Sequence, residues 1–460
     1  MSIIRTYIVP HPPIILPEIG KGSEKSIQKT IDAYHKVARN IATLKPDTIL
    51  ISSPHSTMYA DYFHVSPGSK AFGNFKQFGA NQINFEVYYD TNLEKLISKK
   101  AKETKTPIGT IGEKDASLDH GTMVPLYFIK QYYDDFNVLR ISPSGLSLID
   151  HYNAGRLINS VIPKDKKVIW VASGDLSHKL KEDGPYGLSK EGIQFDKQLV
   201  AILKSGNFSE VFNLKTDFCY KAAECGLGSF TMMMGAIDGY NIKPNVLSYE
   251  GPFGVGYAVG IFEKLEYSRN REYSRIYQSS ETAQINLIRE KEDEYVALAR
   301  KSLEFYVKNS RKLPMPLDLN KELQNNKAGV FVSLHIDDRL RGCVGTISAT
   351  TNSIAEEIIQ NAISAGFSDY RFSKVKEEEL CRIEYSVDVL LPAETIESMD
   401  QLDVKKYGVI VSNNYKSGLL LPNIDGVETV KEQIRIAKKK AGIEDSEKFK
   451  MERFEVVRHH

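Results

Sequence analysis

"TILISSPHSTMYADY" (residues 48–62) decides how the first half of the chain is read. Thr48 to Ile51 form a short apolar run without helical spacing, closed by serines and Pro54. Such a run suits a strand buried on both faces. His55 follows at once. The same arrangement recurs in "NVLRISP" (137–143), "KVIWVASGD" (167–175) and "GYAVGIFEKL" (256–265). Between these runs lie helical patterns at 23–44, 91–104 and 190–206, the first with Ser23 as a candidate cap. Strand and helix alternate, which points to an α/β domain with a central sheet covered by helices.

Three histidines stand just past apolar runs: His11 after "RTYIVP", His55 after "TILISSP", and His178 after "VIWVASGDLS". A fourth, His120, lies in "SLDHGTMVPL". Sites in open α/β sheets gather beyond the carboxyl ends of the strands, where side chains from separate strands converge. Imidazole suits iron, zinc or copper, and two histidines with one carboxylate leave open positions on Fe(II). "YKAAECGLGSF" (220–230) offers that carboxylate in Glu224, with Cys225 beside it as a softer alternative. In "IVPHPPIILPEIG" (8–20), Pro10, Pro12 and Pro13 hold His11 in extended geometry, since proline fixes its own φ and restrains the residue before it.

With 460 residues the chain exceeds one ordinary core. Its 42% hydrophobic and 26% charged residues are those of a globular protein. A net charge of +1 makes no electrostatic case for nucleic acid or an anionic membrane. The four cysteines form no CxxC pair and no disulfide framework, which fits a reducing compartment. No signal core or membrane-spanning run is evident, so a cytoplasmic location is expected. The terminal His459 and His460 read as a frayed tail.

The first domain is expected over 1–265. The polar stretch 266–285 reads as a linker, with a helical start to the next unit. A smaller α+β domain is expected over 286–458. It opens with a helix over 290–309 and continues with two strands within 329–347 joined by a turn at Asp337–Asp338. A helix at 353–365, a strand at 381–391 and a helix near 428–441 complete it. In "RLRGCVG", Cys343 reads as a buried small hydrophobe, while Arg339 and Arg341 are left open as anion contacts. Asp175 could orient the site or simply occupy a turn, and His35, His64 and His151 are given no catalytic role.

Taken together and in order, "VPHPPIILPEIG", "ISSPHS", "DHGTMVPLYF", "GDLSH", "ECGLGSF" and "FGVGYAVGIFE" resemble the class III extradiol ring-cleavage dioxygenases and their Memo-like relatives. The resemblance implies an Fe(II) site at His11, His55 and Glu224, with Zn(II) as the other candidate ion. His178 is implied as acid–base and His120 as a second active-site histidine. The implied substrates are a small aromatic diol and dioxygen. Memo-like relatives use a cysteine in this region, which keeps Cys225 open as the third ligand. "LRGCVGTI", "AISAGFSDYRFSKVKEEEL", "IEYSVDVLLP" and "SGLLLP" resemble the AMMECR family. That fusion is similar to systems that pair both domains with a radical-SAM protein. It implies an alternative role as a metal-binding adaptor or modification factor with such a partner. The chain itself lacks a CxxxCxxC cluster motif.

Overall fold

The computed structural model describes residues 3–460 apart from Asp115, Asp337, Asp338, Asn414, Asp425, Asp445 and the side chain of Glu281. Two compact units are present, one up to Tyr277 and one from Gln278 to His460. The boundary falls inside a helix, Tyr273–Arg289, so most of the polar stretch 266–285 is helical rather than extended linker. Tyr273 and Tyr277, an i,i+4 pair, pack its first turn against the N-terminal core, which a reading by overall polarity conceals.

The N-terminal unit is built on a six-stranded sheet. Its order is Asn137–Ile141, Thr48–Ser52, Val168–Ser173, Arg5–Val9, Tyr257–Tyr267, Tyr240–Glu250. The first four strands are parallel, and the last two form an antiparallel hairpin on Arg5–Val9. Side chains alternate between two cores, as strand geometry requires. Tyr7, Val9, Ile49, Ile51, Ile169 and Val171 join helices Gln28–Leu44 and His120–Ile129 on one face. Ile8, Leu50, Leu139, Trp170 and Ala172 join helices Leu148–Ser160, Lys190–Ser205 and Leu227–Ala236 on the other. Trp170 is fully buried and donates its indole N–H to Ser52 Oγ at 2.9 Å. Burying a large side chain of this kind contributes roughly 1.5–3 kcal/mol. The register aligns Val9 with Ser173 and Ser52 with Ala172, so three strands end together on one edge.

Two local expectations change. Ser23 does not cap the long helix; residues Ser23–Ile27 form a 3-10 turn and the α-helix begins at Gln28. A hairpin, Lys70–Phe75 with Ala80–Tyr88, was not anticipated, because its alternation is broken by exposed polar residues on both faces.

The C-terminal unit has two antiparallel sheets. One runs Arg339–Gly345, Val330–Ile336, Glu384–Leu390, Val456–His459, with helices Glu294–Asn309 and Ile354–Phe367 sharing its core. The other runs Glu394–Ile396, Lys450–Phe454, Gly408–Ser412, Ser417–Leu420, beside helix Val430–Ala441. The expected turn at Asp337–Asp338 lies outside the described residues. His459 is not a frayed end: it pairs with Val387, and its ring stacks on Tyr295 at 3.9 Å. Arg341 is engaged by Glu379 at 2.7 and 3.1 Å. Burial pushes the Cys343 thiol up, in keeping with a structural cysteine. Among the described residues no helix is long and apolar enough to cross a membrane.

Candidate metal centre

The strand ends bring His11 and His55 together. His11 is buried, with Nε2 2.9 Å from His55 Nε2 and 3.6 Å from Cys225 Sγ. One ligand-capable atom from each of His11, His55 and Cys225 lies within 4.8 Å of the others. His120 completes an imidazole cluster. Its ring centroid is 4.0 Å from that of His55, 5.4 Å from that of His11 and 5.5 Å from that of Phe78.

The surroundings choose the tautomer of His11. Ser173 Oγ donates to the Gly121 carbonyl at 2.6 Å, so its oxygen is free to accept from His11 Nδ1 at 2.9 Å. With the proton on Nδ1, Nε2 carries the lone pair that faces His55 and Cys225. This is the usual division of labour in a metal-binding histidine. Asp175 is part of the site as well: its Oδ1 accepts the backbone N–H of His11 at 2.9 Å. The Asp175 N–H points to Cys225 Sγ at 3.3 Å. These contacts need two glycines. A Cβ on Gly174 would stand 2.2 Å from Gly226 Cα, and one on Gly226 would stand 2.8 Å from the Asp175 carbonyl. A side chain at Gly174 or Gly226 would therefore force the two loops apart.

Glu224, the expected third ligand, is not in the cluster. Its carboxylate accepts the backbone N–H of Leu227 at 2.7 Å, at the start of helix Leu227–Ala236. Free helix N–H groups attract a carboxylate, and that attraction outcompetes the crevice here. Cys225, the alternative, faces the two histidines instead.

His178 is near enough to the cluster that a positive charge on it would lower both His11 and His55. Its Nδ1 donates to the Ala223 carbonyl, which leaves Nε2 as the acceptor, and its ring meets Tyr186 edge-on at 5.3 Å. Ala223 has φ 51°, a left-handed conformation that costs a non-glycine residue roughly 1–2 kcal/mol. His151 is structural, bonded to the Ser144 N–H and the Ser147 carbonyl.

Electrostatically the surroundings push each imidazole of the site toward its neutral form. Burial holds His11 well below the usual histidine range, reinforced by His55, His120 and His178. Burial, with His55, takes His120 down to about 4. Burial also lowers His55 and His178. Burial, then Asp175, pushes the Cys225 thiol well up. A cation between these groups would reverse that cost, because a coordinating thiol loses its proton outright. Asp175 and Glu224 are each raised by burial to about 7.

An open, mostly parallel sheet with a histidine-lined crevice at the strand carboxyl ends defines an α/β protein of the strand-end site type. The chain belongs to the family of the catalytic LigB subunit of aromatic ring-opening dioxygenase, matched over residues 5–260, and continues into an AMMECR1 domain over 296–459. Protein CA_C1420 of Clostridium acetobutylicum is 41% identical over 100% of this chain and 99% of its own length. The 2-aminophenol 1,6-dioxygenase beta subunit of a Pseudomonas species is 25% identical over 56% of this chain and 93% of its own. The solved structure of PH0010 from Pyrococcus horikoshii aligns at 32% identity, with a TM-score of 0.33. It covers 36% of this chain and 88% of that one.

Proposed function

We propose that the N-terminal unit holds a transition-metal ion through His11, His55 and Cys225. With dioxygen it would act on a small aromatic ring bearing adjacent hydroxyl or amino groups. The observation that carries this reading is the convergence of three ligand atoms within 4.8 Å, delivered by separate segments of the chain. The substrate class follows the family and the 2-aminophenol enzyme to which the chain is similar. Two imidazoles and a thiolate do not reproduce the two-histidine, one-carboxylate triad of Fe(II) enzymes. They fit zinc, copper, or iron in a softer site. A bound ion would supply charge stabilisation to an ionised phenol. His178, with Nε2 unprotonated, would accept the phenolic proton and return it later, a role that suits an imidazole held neutral at working pH. His11 is buried while His55 is exposed, so the crevice is open to solvent and to a substrate on the His55 side. Four free cysteines support a reducing, cytoplasmic setting.

The cysteine favours a second reading, in which ring opening has been left behind and the chain is a metal-binding factor for a radical-SAM partner. One experiment separates the two. The protein is purified anaerobically and loaded with Fe(II), Cu(I) or Zn(II). It is then analysed for bound metal and supplied with catechol or 2-aminophenol under dioxygen. One ion per chain is expected, lost in His11→Ala and Cys225→Ala and kept in Glu224→Gln. Oxygen uptake with a ring-fission chromophore supports the first reading. Metal without uptake moves the assignment to the second. Full metal occupancy in both His11→Ala and Cys225→Ala would refute the site.

A further inference from the structure

We propose that the first turn of helix His120–Ile129 is a positioning element that sets both metal histidines at once, through Asp119 and Gly121. The inference rests on the reading that His11, His55 and Cys225 hold the ion. Asp119 is the cap of that helix: its Oδ1 accepts the Thr122 N–H at 3.0 Å, and its Oδ2 accepts the Thr122 hydroxyl at 2.8 Å. The same Oδ1 accepts Ser53 Oγ at 2.5 Å, and Ser53 Oγ in turn accepts the backbone N–H of His55 at 3.3 Å. Arg140 Nη1, 3.5 Å from Oδ2, anchors the carboxylate in a pair less than one-tenth exposed on both sides. One branch of the network thus runs from the helix to His55.

The other branch runs from Gly121. Its carbonyl takes the Ser173 hydroxyl, and that commits Ser173 Oγ as acceptor for His11 Nδ1. Gly121 also leaves the space the two branches need. A Cβ there would stand 2.3 Å from Ser53 Oγ, 3.0 Å from Asp119 Oδ1 and 3.4 Å from His11 Nδ1. Both branches meet within three consecutive residues, with His120 between them. A displacement of this turn would therefore move both ligands together. Groups of this kind, one bond removed from the ligands, commonly alter metal affinity 10–100-fold when changed.

Gly121 makes the idea separable from ordinary stability. Alanine is the better helix former, by roughly 1 kcal/mol in a helix interior. Gly121→Ala should leave the helix intact while it pushes Ser53 off Asp119. The test uses the full chain and Co(II), whose visible bands report ligand geometry, with Zn(II) competition for affinity. Ser53→Ala, Asp119→Asn and Gly121→Ala are each expected to weaken binding about 10–100-fold and shift the Co(II) bands. In Ser53→Ala and Gly121→Ala the metal-free melting curve and far-UV spectrum should stay near those of the parent, whereas Asp119→Asn also breaks the buried pair with Arg140 and should melt lower. Ser53→Thr, which retains the hydroxyl, should restore the parent spectrum. In the double variant Ser53→Ala with Asp119→Asn, the loss should fall short of the sum, because both act through one bond. Parent affinity and spectrum in all three single variants, while His11→Ala loses the ion, would overturn the proposal alone. Weakened binding matched by collapse of the metal-free melting curve in Ser53→Ala and Gly121→Ala would also overturn it, as an effect on folding. An ion retained in His11→Ala would remove the site reading itself.

Discussion

At the residue scale, Cys225 rather than Glu224 faces the two histidines, and the acid–base role proposed for His178 can be tested separately from metal binding. His178 touches the crevice but donates Nδ1 to a backbone carbonyl, so its removal should spare the ion. His178→Ala is expected to bind metal at the parent level and to lose turnover by about 10²–10⁴-fold. Single-turnover oxygen uptake on the metal-loaded variant checks this, and equal rates would remove His178 from the chemistry. Asp196 offers a separate test of buried charge. It is almost fully buried, accepts the Ser177 N–H at 2.8 Å and the Tyr249 hydroxyl at 2.7 Å, and is raised by burial to about 6. As pH rises from near 3.8, the unfolded chain releases this proton first. Stability therefore falls until about pH 6 and is level above it. Asp196→Asn should remove that fall and raise stability at pH 7 by up to about 3 kcal/mol, with little effect at pH 4. Urea unfolding at the two pH values measures it.

At the element scale, the loop after Arg5–Val9 acts as a stiff arm. Pro12 is extended at φ −68° and ψ 125°, Pro13 opens a 3-10 turn, and Tyr34 donates its hydroxyl to the Pro10 carbonyl. Replacing Pro12 by alanine frees the unfolded chain by about 0.4–1 kcal/mol and unlocks the residue before it. Pro12→Ala is expected to lower stability by that amount and weaken Zn(II) binding several-fold, because His11 must then be ordered on binding. Calorimetric titration should show the loss as a less favourable entropy. An unchanged dissociation constant would make these prolines mere strand terminators. The opposing elements are held more directly: Gly174 and Gly226 let two loops touch backbone to backbone, which sets Asp175 and Cys225 side by side.

At the scale of the whole molecule, the two units have separate cores. Tyr295, Leu303, Val332 and Ile358 belong to one cluster of the C-terminal unit, while the strands that precede His11 and His55 lie in the two clusters of the N-terminal unit. Independent cores predict independent unfolding. The full chain is expected to melt in two transitions. Zn(II) at 100 times its dissociation constant should stabilise only the N-terminal one, by about 2.7 kcal/mol. Scanning calorimetry with and without the ion reads both, and a shift of both transitions together would show that the units unfold as one.

Much of this was legible in the chain before folding. Short apolar runs at 48–52, 137–141 and 168–173 suit strands buried on both faces, their alternation with helical patterns points to a sheet under helices, and His11, His55 and His178 follow runs of this kind. Strand ends share one edge of such a sheet, so the histidines had a common destination. The order of the two domains was legible too, because their motifs are local. Glu224 against Cys225 was not. The two are neighbours, equally placed in any pattern of spacing. The choice depends on where the backbone turns at Ala223 and on which side chain the N–H groups of the next helix capture. The serine relays through Ser53 and Ser173 were likewise invisible, since each joins segments 52 to 66 residues apart with no periodic signal. Hydrophobic pattern is a property of the chain and dictates which strands are buried. The donor set is a property of three-dimensional convergence, where a few hydrogen bonds decide which of two adjacent side chains faces the two histidines.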